Sequence, residues 1–166
     1  MNQLKQRVEF LANIAIIVVA VAVCAALVRQ YVFTGAEPES PRPAVGSKLE
    51  LPGVDLSSGG RTLLLVLQEG CRFCTESGPF YQKLAREVAT RAREVKVLAV
   101  LPQDPDEGRR YLSTLGVPDV EVKQASLKAL DVSGTPTLIM VNDGTVSDVW
   151  VGKLDEAEES QVLAKL

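Results

Sequence analysis

A chain of 166 residues is long enough for one domain with accessory segments, and with 18 Lys+Arg against 21 Asp+Glu it carries a formal net charge of −3. From Gly46 onward there are 14 Lys+Arg against 18 Asp+Glu and no basic stripe, so nucleic-acid binding has no electrostatic support. Three cysteines and no histidine leave too few ligands for a zinc site of the usual kind, and copper-delivery sites commonly add His or Met, so neither a metal nor a cofactor is expected.

The first element is an apolar run from Phe10 to Val28, 19 residues with Asn13 as its only polar member. At about 1.5 Å per residue such a helix nearly spans a hydrocarbon core of roughly 30 Å. A buried core helix would show a polar stripe, and this run shows none. A cleaved signal peptide is the rival, but the small residues Ala20, Ala22, Ala25 and Ala26 lie inside the run rather than after it. Residues 10–28 are therefore read as an uncleaved transmembrane anchor, with Cys24 as an apolar lipid-facing or helix-packing residue. Lys5 and Arg7 precede the run and Arg29 and Arg42 follow it, so the flanking charge is balanced. The short leading segment favours residues 1–9 on the cytoplasmic side. Residues 29–45 hold three prolines within six positions, Pro38 to Pro43, and read as an extended linker.

Residues 46–166 carry the alternation of a folded domain. Ser47 to Leu56 reads as a hairpin or edge strand pair around Pro52-Gly53. Thr62 to Leu67 is too apolar for an edge and reads as a central strand buried on both faces. Two cysteines follow at once, Cys71-Arg72-Phe73-Cys74, and then a helical pattern over Thr75–Arg93 with Pro79 placed to kink it. Val95–Leu101 is a second central strand, Asp106–Leu115 a helix, Asp119–Val122 a short strand and Ser126–Leu130 a brief helix. Leu138–Val141 is a strand, Asn142-Asp143-Gly144 a hairpin turn, and Thr145–Val151 the returning strand. Asp155-Glu156-Ala157-Glu158 opens a final helix with a capping box. This order predicts an α/β domain with a mixed central sheet and helices on both faces.

The two cysteines carry the chemistry. The first turn of a helix offers unpaired N–H groups and the positive end of its dipole, and both favour a thiolate. A thiolate is the species that attacks disulfides, so Cys71 is the candidate nucleophile. Cys74, one turn on, is the candidate to attack the resulting mixed disulfide and release the partner. The motif alone also fits a structural disulfide between the two.

With these landmarks in order, the chain resembles the thioredoxin superfamily, and within it the membrane-anchored TlpA/ResA-type proteins. Cys71 to Cys74 matches the active-site motif, Pro79 the helix-kinking proline, Gly134-Thr135-Pro136-Thr137 the cis-proline loop, and Gly152 the glycine lining the substrate groove. The hairpin before the central strand and the segment between Leu101 and Gly134 look like the subgroup's additions. The resemblance implies a thioredoxin-like fold over residues 46–166 behind an N-terminal transmembrane helix. It implies a thiol–disulfide oxidoreductase anchored in the cytoplasmic membrane by a single pass, its domain outside the cytoplasm, reducing disulfides of exported proteins. Cys71 and Cys74 would be catalytic and form the redox disulfide, Arg72, Phe73, Thr135, Pro136 and Gly152 would bind substrate, and a membrane or extracytoplasmic thiol donor would regenerate the dithiol. An oxidant or isomerase of the same fold, or a tethered binding module with a locked disulfide, are the alternatives. The chain departs from the pattern at three places. Gly70 stands where most relatives have Trp, Arg72-Phe73 includes no Pro, and Leu65 occupies the position of the buried acid, leaving Glu69 or Glu76 to take its part in proton transfer.

Overall fold

The computed structural model describes residues 14–24, 42–58, 60–90 and 95–166. The chain divides into two units, Met1–Glu39 and Ser40–Leu166. In the first, residues 14–24 are helical, and Ile16, Ile17, Val18, Val19 and Val21 are exposed. No helix among the described residues is long and apolar enough to cross a membrane. The remaining parts of the expected anchor, 10–13 and 25–28, lie outside the described residues, as do 1–9 and 29–41. Pro43, at the end of the expected linker, is buried in the second unit.

The second unit is built on a five-stranded sheet. Its strands are β1 (Arg61–Val66), β2 (Val95–Leu101), β3 (Glu121–Gln124), β4 (Thr137–Asn142) and β5 (Thr145–Val151), in the spatial order β3-β2-β1-β4-β5. The pairs β1–β2 and β2–β3 are parallel, and β1–β4 and β4–β5 are antiparallel. Central β1 is buried on both faces, which is why its sequence, Leu63-Leu64-Leu65-Val66, shows no alternation. The β4–β5 turn has Asp143 and Gly144 both at positive φ, as a two-residue hairpin requires.

The helices are α1 (Arg72–Glu76), α2 (Gly78–Thr90), α3 (Pro105–Thr114) and α4 (Glu156–Ala164). Pro79 supplies no N–H for the carbonyl of Thr75, and the expected single helix is split at Ser77 into α1 and α2. It also starts three residues earlier than its apolar periodicity suggests, because Cys71 acts as the N-cap. The capping box of α4 is complete: Glu158 N donates to Asp155 Oδ1 at 2.8 Å and Asp155 N to Glu158 Oε2 at 3.0 Å.

Helices lie on both faces, as expected, but unequally: the α-helices share one face, and the brief helix expected at Ser126–Leu130 is a 3-10 helix on the other. Leu63, Leu65 and Leu67 share one core with Phe80, Tyr81 and Leu84 of α2, Leu112 of α3 and Val162 of α4, so these three helices cover the same face. Two successive parallel crossovers in one direction, both right-handed, put their helices on one side of the sheet. The other face, with Leu64, Val66, Leu98, Val100 and Ile139, is covered by Leu49, Leu51 and Leu56 and by Leu130 and Val132 around a 3-10 turn, Leu127–Leu130. The expected hairpin at Ser47–Leu56 reduces to two isolated bridges, Leu51 with Val54 and Lys48 with Thr145. The second of these lays the segment against the start of β5, with Gly46 N donating to Val146 O at 2.8 Å. At the opposite edge, Glu121 of β3 takes ion pairs at 2.9 Å from both Lys96 and Lys123.

Candidate active site

The site forms where β1 leaves the sheet. Gly70, at φ +80°, adopts a left-handed conformation that a tryptophan side chain disfavours, and it turns the chain into Cys71. Cys71 itself is extended, and its Sγ accepts the N–H of Cys74 at 3.3 Å, satisfying one of the free donors of the first helical turn. Antiparallel pairing of Val66 with Thr137 brings the loop entering β4 beside this turn. The Thr135–Pro136 bond in that loop is cis, and the Cys71 thiol donates to Thr135 O at 3.2 Å.

The two thiols differ sharply. Cys71 is half-buried, whereas Cys74 has no exposed surface. Partial burial opposes ionisation of Cys71, but hydrogen bonding from the side chains of Cys74 and Thr135 and from the Cys74 N–H outweighs it and brings the thiol below its ordinary value of 9.0. Burial, reinforced by the neighbouring Cys71 sulfur, pushes Cys74 up to about 12. One sulfur is therefore reachable and readily ionised, and the other is sheltered and protonated. Both are free thiols here.

Between the two cysteines in the chain, Phe73 is 50% exposed, and Val151, at the end of β5 opposite Thr137, is 41% exposed. Pro136 is buried, and Gly152, at φ +88°, gives its N–H to Pro136 O at 2.8 Å. That bond ties the end of β5 to the cis-proline loop. Arg72 is exposed and turned along its own helix to Glu76, at 2.7 Å. Glu76 also receives Lys153 at 2.9 Å, and these two cations, Lys153 first, hold its carboxyl below the usual range. A carboxylate so engaged at the surface is a poor substitute for a buried proton acceptor, and Glu69 is exposed.

Two tyrosines that no motif marks also flank the thiols. Tyr111 OH lies 3.5 Å from Thr75 Oγ1, which in turn donates to Cys71 O at 3.3 Å. Tyr81 is 1% exposed, and burial and then the charge of nearby Cys74 raise its phenol well above the ordinary value. Among the described residues, no group of His, Cys, Asp or Glu is placed to hold a metal ion.

No protein-family model matches the chain, and no curated protein matches it. Solved structures do. A thiol-disulfide isomerase from Corynebacterium glutamicum superposes with a TM-score of 0.54 at 18% identity, over 77% of this chain and 96% of that one. A thiol:disulfide interchange protein of the thioredoxin family from Chlorobium tepidum gives 0.53 at 19%, over 78% and 98%. The fold is thioredoxin-like. The pneumococcal exposed lipoprotein thioredoxin Etrx1 from Streptococcus pneumoniae is a third such likeness, with a TM-score of 0.52 at 19% identity over 66% of this chain and 87% of that one. Within this thioredoxin-like frame the cysteine pair, the cis-proline loop and Gly152 converge at one end of the sheet, whereas Arg72 is directed to Glu76 instead of across the groove.

Proposed function

We propose that this protein is a thiol–disulfide oxidoreductase that reduces disulfides of exported proteins, held to the outer face of the cytoplasmic membrane by residues 10–28. The observation that carries the reading is the asymmetry of the pair: a half-exposed Cys71 with a lowered pKa beside a fully buried Cys74 raised to about 12. A structural disulfide needs no such difference. Placement outside the cytoplasm is supported by the apolar run and by the name of one structural neighbour, an exposed lipoprotein, and disulfides for a dithiol to reduce persist in such compartments.

In this mechanism the Cys71 thiolate attacks one sulfur of a substrate disulfide, and the other substrate sulfur leaves as a thiolate. Cys74 then loses its proton and attacks Cys71 Sγ. A Cys71–Cys74 disulfide forms, and the second substrate sulfur departs and takes up a proton. The substrate gains two electrons, and an external dithiol donor of the membrane or extracytoplasmic space returns them to the pair. Phe73, Thr135, Pro136 and Gly152 are the substrate-facing groups, with the apolar Phe73 suited to an unfolded or extended client.

Cys74→Ser should trap mixed disulfides with its substrates, and Cys71→Ser should trap none. The wild-type domain should cycle with dithiothreitol and reduce insulin. Equal trapping by both variants, or a pair that resists mild reductant, would overturn the reading.

A further inference from the structure

The phenol of Tyr81 is a buried polar group that the exchange steps above leave unused. Tyr81 follows Cys74 by seven residues across the kink at Ser77, where Ser77 N still donates to Phe73 O at 3.1 Å and Tyr81 N to Ser77 O at 3.2 Å, and both side chains enter the same core on one face of the sheet. Helical side chains lean toward the N-terminus of their helix, so Tyr81 covers the turn before it and reaches back toward Ser77 and Cys74. Its hydroxyl oxygen is closed off from solvent and has no hydrogen-bond partner among the described residues. The Ser77 hydroxyl faces it but donates to Phe73 O at 2.8 Å. A phenylalanine would fill the same space without burying an unpaired hydroxyl. The usual buried acid is absent too, since Leu65 is apolar and Glu76 is held at the surface by Lys153 and Arg72.

We propose that the Tyr81 O–H donates a hydrogen bond to Cys74 Sγ once that sulfur becomes a thiolate, and thereby sets the rate of the resolving step. The inference rests on the exchange mechanism proposed above. The phenol itself neither gains nor loses a proton, because burial and the adjacent Cys74 keep it protonated far beyond neutral pH. It is a donor and not a base. The Cys74 proton ends on the released substrate sulfur, the S–S bond between Cys71 and Cys74 replaces the mixed disulfide, and Tyr81 carries no charge at either end of the step.

The test is stopped-flow exchange of the full chain with a chromogenic aromatic disulfide, in which formation and resolution of the mixed disulfide are separate phases. Tyr81→Phe should leave formation unchanged and slow resolution by roughly tenfold or more, the worth of a hydrogen bond to a charged group. Its resistance to urea should not fall, since no native hydrogen bond is removed. A fluorinated tyrosine at position 81, a more acidic donor of nearly the same shape, should speed resolution, a response that a merely structural ring would not give. Resolution at the wild-type rate in both variants overturns the role of Tyr81 alone. A wild-type chain that forms no mixed disulfide overturns the exchange mechanism with it.

Discussion

Two sulfurs three residues apart experience opposite fields, and their titration makes this measurable. Cys71 lies below 9.0 and Cys74 near 12, so alkylation by iodoacetamide should modify Cys71 with a midpoint below 9.0 while Cys74 stays inert across that range. Peptide mapping of the alkylated protein reads both at once. The same shifts act on stability, with opposite signs. A lowered folded pKa stabilises fully above the unfolded value and is lost as pH falls through the folded value, which is the case of Cys71. A raised one stabilises fully below the unfolded value and is lost as pH rises through the folded value, which is the case of Cys74. Urea unfolding of the dithiol form should therefore show increasing stability up to about pH 9.0 and decline from there toward 12. The disulfide form has neither contribution and should lack that maximum. A dithiol form with flat stability across this interval would contradict the assignment of the two environments.

At the scale of elements, Gly108 decides how α3 seats on the sheet. A Cβ built there would lie 2.8 Å from Val122 Cγ1 and 3.7 Å from Leu101 Cδ1. Alanine gains ~1 kcal/mol of helix propensity over glycine, but overpacking a buried contact costs about 1–3 kcal/mol. The clash wins, because the Val122 methyl group sits close to a strand backbone that must keep its pairing with β2. Gly108→Ala should lower the urea midpoint, and an unchanged or raised midpoint would mean that β3 yields. Much at this scale was legible beforehand. Thr62–Leu67 and Val95–Leu101 announce central strands because burial on both faces removes alternation, Leu138–Val141 announces a strand, and the Asn142-Asp143-Gly144 turn and the Asp155 capping box are local chemistry. What could not be read was which face each covering segment takes, since periodicity gives a side chain's direction relative to its own helix only. The approach of Thr135 to Cys71, across 64 positions, was available only through resemblance. Tyr81 was hidden for a different reason: on an apolar helical face a tyrosine scores as packing, and its hydroxyl leaves no trace in the pattern.

For the whole molecule, the division at Glu39/Ser40 gives a direct experiment. If residues 10–28 are the anchor, the full chain should remain in the pellet after alkaline carbonate washing, and external protease should release the domain from spheroplasts. Residues 40–166 expressed alone should be recovered in the supernatant with dithiol exchange intact. A full chain recovered in the supernatant would refute the tether while leaving the chemistry standing. The sheet itself adds a further consequence. Its β3 edge is only four residues long and carries Glu121 clamped between Lys96 and Lys123, while the start of β5 is covered by the segment at Gly46–Leu49. Short, charged or covered edges deny an incoming strand a template. Under the function proposed above, client chains would bring loose strands that seek partners. A client that engages the cysteine loop therefore meets no bare template at β3 or at the start of β5, and a strand it carries is not drawn onto the sheet there.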